Sequence, residues 1–418
     1  MIPPSSQSRQ LPPIVPWLVW GLGAVLFAWG WFQRVAPGVM VDPLMRDFAV
    51  GGVVVGNLSA IYFYTYAISQ VPAGLIVDAY GSRRIMVVSA LLCAIGGIVF
   101  TQAESVTSAY VGRLLIGLGA GPTFVIAFNL AAVWCPRDRQ ALLGGLVMSF
   151  GVLGALAGQL PLAWGVDTFG WRPSMYTATL VALALCAGTW AVLRLPRPQP
   201  KPAVRVGLGT SFRSVLKRWD TWGLTLGGIT TMSIMLTFSG LWAVPWLTQV
   251  HGFPRADAAL LISVNAIGWG IGAPLLGWVS DRLNRRKPLF LAGVALSVAS
   301  FAALVYVPGV PSPGLLGLLF LQGLGTGAIM LIFTGAHDRF AGGQEGVSVG
   351  IINSGVMVGA ALMQPLVGWI LDRNWQGVMT EGARVYDAAA YQQAFGVLVF
   401  CGVAAVVIGL VLPDSTRP

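Results

Sequence analysis

The chain has 418 residues, of which 56 % are hydrophobic and 10 % charged, with a mean hydropathy of +0.76. Soluble domains carry about 25 % charged residues, so this composition excludes a soluble globular protein and points to an integral membrane protein. The formal charge of +10 raises nucleic acid as a partner, and the placement of the basic residues along the chain decides against it.

A membrane-spanning helix needs about 20 mainly apolar residues. Twelve such stretches occur, near residues 15–40, 53–77, 84–102, 107–134, 142–165, 173–193, 221–249, 257–280, 288–308, 313–335, 346–371 and 391–412. Residues 1–14, with Pro3, Pro4, Pro12 and Pro13, form a polar tail expected to be disordered, and 413–418 form a second tail. With the N-terminus inside, eighteen Lys and Arg residues fall on the cytoplasmic side. Five fall outside: Arg46, Arg172, Arg255, Arg373 and Arg384. This is the positive-inside bias of an inner membrane, so the basic excess meets lipid headgroups and no nucleic acid is expected. The first apolar run is too long for a signal peptide and follows a single basic residue, Arg9, so it reads as a retained span. Cys93, Cys135, Cys186 and Cys401 show no paired spacing and read as buried hydrophobes.

The stretch from Tyr62 to Arg84 carries an apolar helix into a tight, charged turn. Its Gly74, Asp78, Arg83 and Arg84 recur 203 residues later as Gly277, Asp281, Arg286 and Lys287. Two further matches lie at nearly the same offset: GLGAG at Gly117 with GLGTG at Gly323, and Gly151 and Pro161 with Gly355 and Pro365. The chain is therefore a duplicated unit. Both basic junctions must face one side, so each unit holds an even number of spans, and six plus six fits. The expected division is an N-terminal bundle at 15–193, a basic linker at 194–219 and a C-terminal bundle at 220–412. Within the linker, Phe212, Val215, Leu216 and Trp219 fall on one helical face opposite Arg213, Lys217 and Arg218, with Ser211 as a cap. This predicts a short helix lying on the membrane surface.

Arg34 lies inside the first span, where a charge costs at least ~3 kcal/mol and marks a functional position by default. The alternatives are an ion pair with Asp42 or snorkelling to the outer interface. In the second span Ser59, Tyr62, Tyr66 and Gln70 form one polar stripe, which faces either water and substrate or a neighbouring helix. Thr230, Ser233 and Thr237, then Trp242 and Trp246, with Asn265, Asn353 and Gln364, form an uncharged polar wall in the second half. His251 and His337 read as solvated loop residues. No Asp or Glu falls in the middle of a span, which removes the usual intramembrane proton carrier. No nucleophile and base arrangement, metal cluster or phosphate loop appears, so no enzyme activity and no cofactor are expected.

The pattern G-x-x-x-D-x-x-G-x-R-R, met as Gly74, Asp78, Gly81, Arg83 and Arg84 and degenerately repeated at Gly277, Asp281 and Arg286, resembles the first signature of the major facilitator superfamily. Arg113, Gly117 and Gly119 resemble its second. The resemblance implies an all-α membrane protein of twelve transmembrane helices in two pseudo-symmetric six-helix bundles. It also implies a substrate site between the bundles near the midplane, and a first signature that holds the bundles together on the cytoplasmic side when the outer side is open. Arg34 with Tyr66, Gln70 and Pro72 is similar to bacterial organic-anion transporters, where a first-helix arginine binds the anion and a second-helix tyrosine assists. The chain departs from the sugar-acid symporters at Gln33 and Ala120, from the organophosphate antiporters at Thr237, and from the drug exporters in lacking a G-P-x-x-G-G ending on the fifth span. The expectation is a monomeric inner-membrane secondary transporter importing a small organic anion or zwitterion, with a possible coupling ion. Arg34, Tyr62, Tyr66, Gln70, Trp242, Trp246, Asn265 and Asn353 are the expected substrate wall. Asp78, Arg83, Arg84, Asp281 and Arg113 are the expected gating groups, with Arg113 chiefly structural. A drug or neutral-solute exporter and a transporter-like receptor are the rivals.

Overall fold

The computed structural model describes residues 12, 14–136, 139–193, 208–340 and 344–412. Apart from Pro12 and Ile14, the two expected tails lie outside the described residues, as does the proline-rich part of the linker. Backbone polar groups have no water to bond in a bilayer core, so a spanning chain must satisfy them within helices. The first bundle comprises α1 (Val15–Val35), α2 (Gly52–Tyr80), α3 (Ser82–Thr101), α4 (Val106–Ala120, resumed at Thr123–Trp134), α5 (Gln140–Ala157, resumed at Leu160–Phe169) and α6 (Trp171–Leu193). The second comprises α7 (Trp219–Ile234, resumed at Ala243–Gln249), α8 (Arg255–Leu283), α9 (Lys287–Tyr306), α10 (Ser312–Thr326, resumed at Ile329–Arg339), α11 (Glu345–Arg373) and α12 (Ala388–Val411). Eleven of these stretches are long and apolar enough to cross a membrane alone. The twelfth is α2, a 29-residue helix that follows a short helix, Val41–Phe48, at a bend of 113°.

The expected first span at 15–40 is met as Val15–Val39, though its last turn is not α-helical. Pro37 and Gly38 cannot sustain α-helix, and α1 tightens there into a 3₁₀ turn, Ala36–Val39. The chain then restarts as Val41–Phe48 and stops at Ala49 in the left-handed region (φ 52°). The linker helix also differs: it runs Leu208–Lys217, so Ser211 lies inside it, and the exposed Trp219 opens α7 instead.

The duplication is written into the packing. A Cβ on Gly117 would stand 2.6 Å from the Tyr62 carbonyl oxygen of α2, and one on Gly323 would strike the backbone of Asn265 on α8. Asn265 is the residue 203 places after Tyr62. Likewise Gly119 approaches Ser89 and Cys93 on α3, and Gly325 approaches Gly293 and Ser297 on α9. Small residues here let helix backbones touch, which is how helices associate in lipid. At the basic turns, Gly81 has φ 84°, and its counterpart at the same offset is Asn284 with φ 49°. The second turn lacks the glycine and keeps its left-handed geometry through asparagine, the side chain that tolerates it best.

Between bundles, α2 packs along α11, α5 along α8, and the broken part of α1 against that of α7. Exchanging the bundles maps each pairing onto itself or its mate, as a two-fold axis along the membrane normal requires. The end that carries the start of α1, the linker and the end of α12 is called the termini end below, and its opposite the far end.

Candidate substrate site and gates

Arg34 is 3 % exposed, buried in α1 among four aromatic rings. Its Cζ lies 4.1 Å from the Trp31 ring centroid, 5.0 Å from Tyr66, and 5.9 Å from both Tyr62 and Phe63. Ring faces attract a cation and offset part of its desolvation. No carboxylate among the described residues pairs with Arg34, and its buried Nε has no partner. Asp42 does not serve as the expected alternative partner, because it accepts from Gln249 (3.1 Å) and faces Arg255 (3.9 Å).

Tyr62 is fully buried and donates its hydroxyl to the Gly30 carbonyl of α1 (2.8 Å). The Arg113 Cζ lies 5.1 Å from the centroid of the Tyr62 ring, and Arg113 donates to the carbonyls of Gln33 (2.9 Å) and Leu58 (3.3 Å). It thereby ties α1, α2 and α4 together. Gln70 donates to the Gly121 carbonyl at the break in α4 (3.0 Å). Ser59 and both amide atoms of Gln33 are buried without a partner.

The second-half wall is more dispersed than expected. Asn265 is fully buried, accepts from Ser239 (2.9 Å), and donates to the Leu319 carbonyl (2.9 Å) and to Gln322. It knits α7, α8 and α10. Trp242 is fully buried and donates to the Gln364 carbonyl (3.1 Å). Trp246 packs against Phe238, Phe395 and His251. None of these three is brought to Arg34. Asn353 is half-buried on α11. Thr230 and Ser233 bond back to carbonyls of their own helix, while Thr237 is buried without a partner. The two histidines differ from expectation: His337 lies within the last turn of α10, and His251 is half-buried with its ring 4.5 Å from Trp246. Burial lowers the His251 pKa, which favours the neutral imidazole.

A residue not foreseen completes the centre. Trp269 on α8 stacks on Trp31 from the opposite bundle, with centroids 5.2 Å apart and planes at 34°. It stands 203 residues after Tyr66, so applying the duplication offset to the aromatic stripe would have found it.

At the far end the bundles are clasped. Asp372, at the end of α11, accepts from the backbone N–H groups of Gly52 and Val53 (both 2.9 Å). It caps the first turn of α2 from the other bundle, where α2 has no side-chain cap of its own. Tyr386 donates to the same carboxylate (2.6 Å), and Arg384 pairs with it at 3.0 Å. Burial and the adjacent Asp372 hold the Tyr386 phenol well above its ordinary pKa, so it remains a donor. Gln249 accepts from the Tyr386 backbone (3.0 Å) and from Tyr391 (3.1 Å) while donating to Asp42. Arg255 reaches across to Asp167 at 2.5 Å.

α7 is unwound beside this clasp into a π-helical turn, Met235–Trp242, whose Gly240 meets Gly38 of the α1 break. Gln364 and, from the opposite bundle, Gln159 donate to its Leu236 and Ser239 carbonyls (2.9 and 3.3 Å). Such wide turns are uncommon and concentrate at functional positions. Outside the clasp lies a recess of about 570 Å³ lined by Arg46, Asp47, Asp167, Trp171, Arg172 and Arg255.

At the termini end Arg83 is buried, donates to the Val192 carbonyl (3.0 Å) and lies 5.6 Å over the Trp134 ring, all within its own bundle. Arg286 pairs with Asp338 at 2.6 Å, also within its bundle. Arg84 and Asp281 are exposed. The side chain of Asp78 lies outside the described residues. A Cβ on Gly74 or Gly277 would meet nothing within 4 Å among the described residues.

The fold and the paired glycine contacts define a two-bundle membrane transporter. The family model of the Major Facilitator Superfamily matches residues 20–362 and 241–418, and the chain belongs to that family. It is accordingly a multi-pass membrane transporter, not an enzyme. The chain is 26 % identical over 272 residues to the probable nitrate/nitrite antiporter NarK1 of Thermus thermophilus, covering 60 % of this chain and 58 % of that protein. It is 22 % identical over 389 residues to the gentisate transporter of Corynebacterium glutamicum, covering 88 % and 86 %, and 22 % identical over 335 residues to the gallate transporter of Pseudomonas putida, covering 71 % and 74 %. Among solved structures it resembles a bacterial homologue of the human lysosomal transporter Spinster in an inward-facing, unoccupied conformation. There the TM-score is 0.78 and the identity 16 % over 96 % of this chain and 97 % of that one.

Proposed function

We propose that the protein imports a small organic monocarboxylate, or a zwitterion carrying one, across a bacterial inner membrane, with Arg34 as the group that binds its charge. The observation that carries this reading is a buried guanidinium caged by rings, with no carboxylate partner and an Nε left unbonded among the described residues. A buried charge is costly unless it is paired, and an anion arriving with the substrate pairs it. One guanidinium matches one carboxylate in a two-bonded fork and suits a doubly charged phosphate less well. Relatives named for gallate and gentisate, both aromatic acids, support an organic anion.

The bias of the basic residues supports a cytoplasmic termini end; on that orientation the clasped far end is the outer gate and this conformation is shut to the outside. Tyr66 shapes the wall beside Arg34, while Tyr62 and Arg113 set the rigid frame behind it. Every Asp and Glu of the described residues lies at a helix end or in a connection. This supports anion exchange, facilitated diffusion or a proton carried with the substrate itself over an intramembrane carboxylate carrier.

The reading is tested on purified protein in detergent by melting-temperature shifts with carboxylates, amino acids, sugar phosphates and lipophilic cations. A ligand that binds only the folded state raises the melting temperature by mass action. Monocarboxylates should stabilise the wild type, and Arg34→Ala should weaken their binding on the order of 10- to 100-fold, the worth of one charge-assisted bond. Arg34→Lys should recover part of it. Stabilisation by cations or neutral solutes alone, or a shift that survives Arg34→Ala, returns Arg34 to a structural role and favours an exporter. Binding without flux in liposomes favours a receptor.

A further inference from the structure

Resting on the Arg34 reading, we propose that Trp269 is the residue with which the second bundle selects the substrate, and that the substrate it selects is an aromatic carboxylate. Trp31 is the ring nearest the Arg34 guanidinium, at 4.1 Å, and Trp269 is stacked directly on Trp31. The charge-binding group, its closest ring and a ring from the opposite bundle therefore form one continuous line. Tyr66 and Trp269 are duplication mates, so each bundle presents one aromatic wall at the same level.

Both indoles are nearly inaccessible, 8 % and 6 % exposed, and the Nε1–H of each is buried without an acceptor among the described residues. Together with the Arg34 Nε this places three unmatched donors along one row of side chains. Buried donors left unmade are costly, and a native core leaves few of them. A carboxylate supplies acceptors for the guanidinium, and a ring oxygen supplies one for an indole. Between them, a flat ring fills the space that the two indoles leave when the bundles part.

An aliphatic acid satisfies the arginine and gives the indoles no face to stack on. The two indoles belong to different bundles and meet at 5.2 Å here, so a planar ring held by both is bound best where the bundles stand one ring's thickness apart. Such a differential affinity is what allows a ligand to shift a conformational equilibrium.

The experiment measures equilibrium binding of benzoate, 4-hydroxybenzoate and cyclohexanecarboxylate to the purified full-length protein by isothermal titration. The three carry the same charge and differ in flatness and in one hydroxyl. The wild type should bind the two aromatic acids about five- to tenfold more tightly than the alicyclic one, the worth of one ring-stacking contact. Trp269→Ala should bring that ratio close to one by weakening the two aromatic acids more than the alicyclic one, and Trp269→Phe should keep most of the preference. Equal binding of all three acids by the wild type overturns the proposal while leaving the Arg34 reading standing. So does a Trp269→Ala protein that loses affinity for all three alike. If none of the three binds, or if binding survives Arg34→Ala, the Arg34 reading falls and this one with it.

Discussion

Replacing Asp372 by alanine is expected to open the far end of the protein. Both carboxylate oxygens are engaged by backbone N–H groups of the first turn of α2, with Tyr386 and Arg384 on the same oxygen. A helix N-terminus carries about half a positive charge, and this one is capped only by the other bundle. Separating the bundles uncaps α2, while Arg384 and Tyr386 of Asp372's own bundle stay with the carboxylate, so it is the two backbone bonds that contribute to the closed state alone. Charge-assisted bonds of this kind are worth about 1.5–3 kcal/mol, and the loss should raise the open fraction roughly 10- to 100-fold. The readout is labelling of Ser239→Cys, buried behind the clasp, by a membrane-impermeant maleimide added from the far side, against a background of the native cysteines. Gly51→Ala should act in the same direction with the carboxylate in place, since its Cβ would stand 2.7 Å from both Asp372 oxygens. Arg46→Ala should do little, because the Arg46–Glu381 pair is solvent-exposed and such pairs contribute little. A fall in melting temperature with labelling unchanged from the wild type would show that Asp372 only stabilises its own bundle.

The clasp marks the boundary of what the sequence reveals. The spans, the duplication and the glycine contacts were legible because lipid imposes length and apolarity on every span, and close helix contact imposes small residues at fixed spacing. Arg34 was legible because a lone charge in an apolar run stands out, and Tyr66 because polar rings recur at helical spacing. Asp372 was not, since an acid at a helix end is commonplace and its partner lies 320 residues away in the chain. Trp242 and Trp246 were assigned to the substrate wall from their place beside Pro245. In a membrane protein, however, a packed interface and a substrate wall are both built of apolar and aromatic side chains, and composition does not separate them. The break in α7 leaves no proline inside the turn itself, and only the amides of Gln159 and Gln364 on its carbonyls reveal it. The left-handed residue of the second basic turn is Asn284, and an asparagine marks such a position less plainly than glycine does.

Two glycine substitutions of opposite character should separate folding from transport. Gly323→Ala is expected to destabilise the protein severely, because the new Cβ would meet the Asn265 carbonyl and stand 3.0 Å from the Trp269 backbone nitrogen. Backbone cannot step aside as a side-chain tip can, and overpacking of this kind costs about 1–3 kcal/mol or more. The displaced segment of α8 also carries Trp269, so residual folded protein should bind carboxylates poorly. Gly277→Leu, on the same helix but at the termini end, meets open space among the described residues, as does Gly74→Leu on its mate α2. Neither should change the folding stability by more than the ~0.5 kcal/mol typical of surface substitutions, so the melting temperature should hold. Alternating access nonetheless requires the termini end to close when the far end opens, and a bulky side chain at these two positions obstructs that closure. Transport should therefore fall to background in both leucine variants while the melting temperature holds. Wild-type flux in Gly74→Leu would mean that this face of α2 stays open throughout the cycle, and that the bundles close at the termini end on some other surface.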